Sequence, residues 1–513
     1  MAFSRVYSAQ PDLLDAGIIT VETDITPNTL HAFSIVGLAE KSVDEAKDRV
    51  SSALKNSGFH SPKQSNQKIV VSLSPADIKK DGSSFDIAIA ISYLLSSSQI
   101  KASTDNMIFL GELSLNGEIK PIRGTLPLVI AAKNSGFTEV FVPKQNVKEA
   151  GLVRGITIYG VEKLKDLVEH IKESEEKIFS LTPEKETEIV YQESAQSIFD
   201  ISDIRGQESA KRGLEIAAAG GHNIALYGPP GTGKTMLAKV FRSLLPPLSN
   251  EEVIEVTGIH SVSGVLDEDF VTMPPFRSPH HTASYVSLIG GGAKPKPGEV
   301  TLAHRGVLFM DELPEFDKKV LEAMRQPLED NIVSITRASG RAIFPSNFML
   351  IAAMNPCPCG NLTSTKKRCI CRQSDIERYK RKISGPIMDR VDMWILVGDI
   401  DLAKLGDKDE NAEKTSSVKE RVSLARKAQK NRFEKDGKKV FLNSDMNVKD
   451  LEVYAKLDEN LKNILVKSAE KLGLSARAFH RVQKIARTIA DLEGEEDIKE
   501  AHLLEALQYR PKF

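Results

Sequence analysis

The segment ALYGPPGTGKT at residues 225–235 carries the sharpest chemical signal in the chain. Gly228, Pro229, Pro230, Gly231, Thr232, Gly233, Lys234 and Thr235 follow a short apolar run and precede TMLAKVFRSLL, so a glycine-rich turn joins a strand to a helix. The spacing G-x-x-x-x-G-K-T in that context is a phosphate loop. Its glycines let backbone N–H groups turn inward around phosphate oxygens, and the following helix N-terminus adds a favourable field. Lys234 is positioned to meet the β- and γ-phosphates and Thr235 to ligate Mg²⁺. Downstream, GVLFMDELPEF ends an apolar run in Asp311 and Glu312. Asp311 would hold Mg²⁺ through water, and Glu312 would polarise the attacking water. An apolar strand ending in Asp-Glu is common alone, but hydrolysis of ATP needs both halves, and both are present.

Four cysteines form the second constellation: Cys357 and Cys359 in NPCPCGN, then Cys369 and Cys371 in KRCICRQ. Two close pairs ten residues apart satisfy the ligand count of one tetrahedral ion, so Zn²⁺ is the expected occupant. An Fe–S cluster and reduced free thiols are the alternatives. The one-residue inner spacing is tighter than in a standard zinc ribbon. The stretch 366–382 around the second pair holds eight basic and two acidic residues, which suits it to meet DNA. The adjacent His280 and His281 lack an evident carboxylate partner in sequence, so a structural role is expected of them rather than metal binding.

The elements that must position these groups fall into four stretches of the 513-residue chain, where length alone suggests about three domains. Residues 1–170 interleave strand-like runs (GIITVETDI, KIVVSLSP, MIFLGELSL, EVFVP) with helical ones, giving an α+β domain. One helix, SVDEAKDRVSSALKNSG, is expected to start on Ser42 as N-cap with Glu45 three residues on, and to stop at Gly58. Residues 171–197 form an acidic linker; 171–195 hold seven acidic and three basic residues without an apolar period. In 198–400, NIALYG, GVLFMDE, FMLIAAMNP and MWILVGD are apolar throughout, as strands of a parallel α/β sheet buried on both faces are. From 401 to 513 the spacing is helical. NIVSITRASGRAIFPSNFML reads as a hairpin with Arg337 and Arg341 near its tip. No apolar run reaches the ~20 residues that span a bilayer, and MAFSRVYSAQPDLL has no apolar core followed by a small-residue cleavage site, so no signal peptide is expected. Lys+Arg 69 against Asp+Glu 70 excludes a polycationic binder and an acidic tail. A cytoplasmic location is expected.

These residues resemble a AAA+ ATPase. FRSPHHTASYVSLIGGG (276–292), KPGEVTLAHRGVLFMDELPEF (296–316), RKISGPIMDR (381–390) and LSARAFHRVQKIARTIADL (474–492) resemble the magnesium-chelatase-like branch of that superfamily, in its ComM/YifB type. The resemblance extends over essentially the whole chain. It implies a doubly wound P-loop domain with a helical lid, and it assigns Asn355 as the sensor-1 residue, Arg390 as the arginine finger and Arg477 as the sensor-2 arginine. An arginine that acts in trans implies a homo-oligomer, in this family a hexamer. The hairpin would point into the ring channel, where Arg337 and Arg341 could touch phosphates. The implied partners are single-stranded or branched DNA and recombination proteins. The implied function is a helicase or branch-migration factor in natural transformation.

In the first domain, IKKDGSSFDIAIAISYLL and GELSLNGEIKPIRGTLPLVIAA look like the Lon-type serine protease domain, with Ser84 at the nucleophile position. A Ser–Lys dyad needs a base. The matching lysine position holds Leu126, and Lys120 and Lys133 lie off the motif, so the domain is read as non-catalytic. The competing readings are an ATP-dependent protease, which Leu126 opposes, a nucleotide-dependent scaffold that barely hydrolyses, which Glu312 and Arg390 oppose, and a magnesium-chelatase motor subunit, which is expected to lack both the Lon-like domain and the cysteines.

Overall fold

The computed structural model describes residues 3–38, 40–77, 79–173, 179–191, 199–292, 295–337, 340–383, 385–399, 412–438 and 442–511. The chain divides into two compact units, residues 1–190 with 250–271 and residues 191–249 with 272–513. The sequence reading kept 250–271 in the 198–400 block; in the structure this stretch packs with the first unit.

The first unit is built on a mixed seven-stranded sheet. Its spatial order is Ala32–Val36, Gln67–Ser74, Asp15–Pro27, Phe3–Asp12, Met107–Phe109, Glu139–Pro143, Thr157–Val161. Phe3–Asp12 and Asp15–Pro27 form a long antiparallel hairpin, Phe3 opposite Asp24 and Asp12 opposite Asp15. The remaining pairs are parallel apart from Asp15–Pro27 with Gln67–Ser74. Helix Asp86–Ser96 buries all but one of its residues, including Asp86, Ser92 and Ser96 among the apolar ones. MIFLGELSL is not one strand: it breaks at Gly111, whose φ of +151° leaves Met107–Phe109 and Glu112–Leu113 in different sheets. Gly58 ends its helix as expected, at φ +88°. The Ser42 cap does not form. Helix Ala46–Asn56 starts after Glu45 with no side-chain cap; Ser42 lies instead inside a separate turn of helix, Lys41–Asp44, and its hydroxyl accepts from Gly82 N at 3.2 Å and donates to Asp81 Oδ1 at 2.9 Å.

The expected acidic linker is, over its described residues 179–190, an extended strap on this unit. Glu184 N donates to Ile158 O (2.8 Å) and Thr187 N to Gly151 O (2.9 Å). Leu181 and Ile189 pack on its two apolar cores. Helix Asn250–Ser263 lies on helix Thr125–Asn134 of the same unit. The buried Glu149 joins them, accepting from Leu126 N at 2.8 Å and from the Ser261 hydroxyl, which also accepts from Gly124 N at 2.9 Å.

The second unit holds a five-stranded parallel sheet. Its spatial order is Phe276–Arg277, Val307–Met310, Met349–Met354, Ile224–Tyr227, Met393–Leu396. Ile224–Tyr227, the first of these strands in the chain, lies between the last two, Met349–Met354 and Met393–Leu396, so the strand order reverses there and the sheet is doubly wound. The four apolar runs singled out from sequence are four of its strands. One continuous core runs from this sheet into the C-terminal helices, joining Leu214, Ile224, Ile351 and Ile395 to Val422, Phe433, Ile485 and Leu503. Those helices are Thr415–Lys435, Val448–Tyr454, Glu459–Leu472, Ala476–Leu492 and Glu500–Gln508. Residues 401–411, where the sequence reading starts the lid, lie outside the described residues. The hairpin forms from Ile332–Arg337 and Gly340–Pro345, with Ile332 opposite Pro345. No helix among the described residues is long and apolar enough to cross a membrane.

Candidate nucleotide and metal site

Parallel register brings the chemistry to one edge of the sheet. Tyr227 pairs with Met354 and Met310 with Ala352, so Gly228, Asn355 and Asp311 all emerge from carboxyl ends of neighbouring strands. That edge, at a topological switch point, is where open α/β sheets bind ligands. Gly228 has no room for a side chain: a Cβ there would lie 2.0 Å from the Val397 carbonyl oxygen. Gly231 and Gly233 take φ of +77° and +88°, the left-handed backbone that turns successive N–H groups toward a common centre. Helix Lys234–Leu244 follows at once.

Lys234 Nζ is bonded to Gly228 O at 2.8 Å, Pro229 O at 2.7 Å and Asn355 Oδ1 at 3.3 Å. Burial lowers this ammonium's pKa, and nearby Asp311 opposes the shift. Thr232 Oγ1 closes the loop onto Pro229 O at 2.9 Å. Thr235 Oγ1 donates to Asp311 Oδ2 at 2.9 Å, which places the hydroxyl and the carboxylate side by side as a shared Mg²⁺ site requires. Donor set and cradle fit ATP with Mg²⁺.

Glu312 sits at φ +51°, an unusual backbone for a residue with a side chain, and its N–H bonds Asp311 Oδ1 at 2.9 Å. The sequence reading found no carboxylate partner for the histidine pair. The structure supplies one: His281 Nδ1 lies 3.3 Å from Glu312 Oε2, and the His280 ring sits against His281 at 4.1 Å between centroids. A cleft of about 350 Å³ opens beside these groups, lined by Glu312, Asn355, Pro358 and Tyr379 among others. Burial foremost, then Glu315, pushes the Tyr379 hydroxyl up to about 12.

Arg390 and Arg477 do not sit on the phosphate loop in this chain. Arg390, nearly buried, pairs with Glu329 Oε2, while Arg477 Nη2 donates to Glu329 Oε1 at 3.1 Å. The hydrogen bond from Arg390 is the main cause that lowers the Glu329 pKa. The Arg390 backbone is anchored through its carbonyl, which accepts from Asn223 Nδ2 at 3.2 Å, just ahead of the phosphate-loop strand. Glu329 carries no motif, so sequence reasoning missed it. On the hairpin, Arg341 Nε donates to Ser334 Oγ at 2.8 Å. The Arg337 side chain lies outside what the structure describes.

The four cysteine sulfurs converge, all within 4.8 Å of one another. Cys357–Cys359, Cys357–Cys369 and Cys359–Cys369 are 3.5, 3.7 and 3.6 Å apart. A disulfide needs about 2.05 Å, whereas a tetrahedron with Zn–S of about 2.3 Å has edges of about 3.8 Å. Backbone N–H groups of Asn361 and Ile370 pull the Cys359 thiol down to about 6, while burial pushes Cys357 up.

In the first unit, Ser84 is nearly buried, and its hydroxyl reaches Ala9 O at 3.4 Å. Leu126 is fully buried against helix Asn250–Ser263, Lys120 pairs with Glu118 at 2.8 Å, and Lys80 donates to Pro75 O. Among the described residues Ser84 has no lysine bonded to it.

Three family profiles match the chain: "Magnesium chelatase, subunit ChlI" over 200–405, "Subunit ChlI of Mg-chelatase" over 21–146, and the ChlI C-terminal profile over 412–510. Competence protein ComM of Haemophilus influenzae is 42% identical over 99% of this chain and 98% of its own length. YifB of Escherichia coli, itself uncharacterised, is 39% identical over 99% of this chain and 97% of its own. Lon protease 2 of Bacillus subtilis matches only in part, 33% identical over 26% of each chain.

Proposed function

This chain belongs to the ComM/YifB type of magnesium-chelatase-like AAA+ ATPases, and we propose on that premise that it is a homo-hexameric motor coupling ATP hydrolysis to movement along single-stranded or branched DNA. The carrying observation is the closed set Lys234–Asn355 and Thr235–Asp311, with Glu312 beside it. Lys234 and the loop N–H groups bind the triphosphate, Thr235 and Asp311 hold Mg²⁺, and Glu312 accepts the proton of the attacking water. Asn355 orients the γ-phosphate side. Arg390 and Arg477, held together on Glu329, serve the nucleotide of the neighbouring subunit, so hydrolysis requires the ring. Zn²⁺ on the four cysteines is the structural cofactor.

DNA as the track rests on the competence protein among the relatives, on the hairpin that carries Arg341, and on the basic stretch 366–382. The role that follows is branch migration of recombination intermediates during natural transformation. One comparison favours a chelatase motor instead: the profile over 21–146 bears a chelatase description, so the first domain does not exclude that reading as the sequence alone had suggested. ATP-dependent displacement of one strand from a forked duplex, absent in Glu312→Gln, tests the proposal. A protein that hydrolyses ATP but never separates or migrates strands contradicts it.

A further inference from the structure

The cysteine loop bridges the phosphate loop. It leaves the strand Met349–Met354 through Asn355, the residue that accepts from Lys234. Gly360, one residue beyond Cys359, takes φ +79° and lies so close to the phosphate loop that a Cβ would sit 2.7 Å from Pro230 Cδ. Its N–H bonds the carbonyl of Cys357 at 2.9 Å. The loop then reaches the far side: Ser364 Oγ and Thr365 N donate to Asp399 at 2.9 and 2.7 Å. Asp399 follows the strand Met393–Leu396, which pairs with the phosphate-loop strand on the side opposite Met349–Met354. The loop therefore arches from one neighbour of the phosphate-loop strand, over Pro230, to the other neighbour.

Residues 355–372 contain no helix or strand, and the loop exposes Leu362 and Ile370, the latter 85% accessible. Little apolar burial is left to hold such an arch in one shape, which leaves the sulfur cluster and the hydrogen bonds to Asp399 as its fastenings. The sulfur edges of 3.5–3.7 Å and the N–H of Cys359 directed at Cys371 Sγ (3.4 Å) suit a bound divalent ion.

We propose that Zn²⁺ on Cys357, Cys359, Cys369 and Cys371 controls nucleotide binding, by holding Gly360 against Pro230 and thereby fixing one wall of the phosphate loop. This inference rests on the reading of that loop as an ATP site. Metal loss slackens the arch, frees Pro230 and widens the nest of N–H groups, so nucleotide affinity falls.

The test measures bound zinc per chain and the affinity for a fluorescent ATP analogue. The samples are the purified protein, protein stripped anaerobically with chelator and reductant, the stripped protein with zinc restored, Gly360→Val and Cys369→Ser/Cys371→Ser. The account predicts one zinc per chain, about tenfold weaker binding on stripping that zinc reverses, and similar weakening in Gly360→Val with its zinc retained. The double cysteine variant loses both. Stripped protein that binds the analogue as tightly as loaded protein overturns the coupling alone, as does Gly360→Val with unchanged affinity. Purified protein without zinc overturns the metal assignment. Zinc-loaded protein that binds no nucleotide overturns the ATP-site reading and the coupling with it.

Discussion

Arg390 and Arg477 share one carboxylate: both donate to Glu329, Arg477 at 3.1 Å and Arg390 from a nearly buried position. Two guanidiniums on one carboxylate leave a net positive pair, which suits an anionic phosphate brought by another molecule. If both arginines serve a neighbouring subunit, two inactive variants should repair each other. Lys234→Ala retains the arginines and Arg390→Ala retains the phosphate loop. Each alone should be nearly inactive, since a trans arginine contributes several orders of magnitude. Mixed at equal amounts, they should recover roughly a quarter of the wild-type ATPase rate, the share of interfaces that random assembly makes whole. A mixture no more active than its parts would contradict action in trans.

Glu312 and His281 form a second pairing, at 3.3 Å, between the turn that follows strand Val307–Met310 and the histidine pair. Glu312→Gln should cut turnover by about 10²–10⁴-fold while sparing nucleotide binding, as loss of a general base does. His281→Ala should lower kcat severalfold, by about fivefold, with KM for ATP unchanged, because it removes only the group that orients Glu312. Steady-state kinetics of both variants check this.

His222 gives the second unit a pH limit. The imidazole is fully buried and bonded to Thr488 Oγ1 at 2.9 Å, and burial lowers its pKa to about 4. A histidine that resists protonation in the folded chain stabilises the protein above its unfolded pKa near 6.5. That stability is lost as the pH falls from there toward 4. At pH 5 the loss is about 2 kcal/mol, roughly 4–8 °C in Tm. Thermal melts at pH 7.5 and 5.0 should show it, and His222→Gln should flatten the difference.

Arg341 is exposed on the hairpin. If the hairpin meets DNA, Arg341→Ala should weaken binding about equally for all sequences and reduce the salt slope of log K by about 1. Fluorescence anisotropy across a salt series measures both. An unchanged slope would remove Arg341 from the interface.

The parallel strands were legible because runs such as VLFM and MLIAAM are apolar on both faces, and the phosphate loop because its glycines and lysine are adjacent in sequence. The cysteine cluster was legible for the same reason. Glu329 and the partner of His281 were not, since each pairs with residues far away in the chain and no local rule selects one surface carboxylate. The Ser42 cap failed because Ser42 lies inside the separate helix Lys41–Asp44 and its oxygen accepts from Gly82 N, a tertiary donor 40 residues on. Helix Asn250–Ser263 was not singled out in the sequence, and no local pattern tells that it packs with the first unit, where Ser261 donates to the buried Glu149.

The central claim is that nucleotide turnover at Lys234 is coupled to DNA. It is tested most directly by the ATPase rate of the purified, zinc-loaded protein with and without single-stranded and forked DNA, using Lys234→Ala as the blank. The account predicts strong stimulation by DNA that the variant abolishes. A robust rate that ignores DNA, still lost in Lys234→Ala, would contradict the DNA motor and turn the assignment toward the chelatase-type reading.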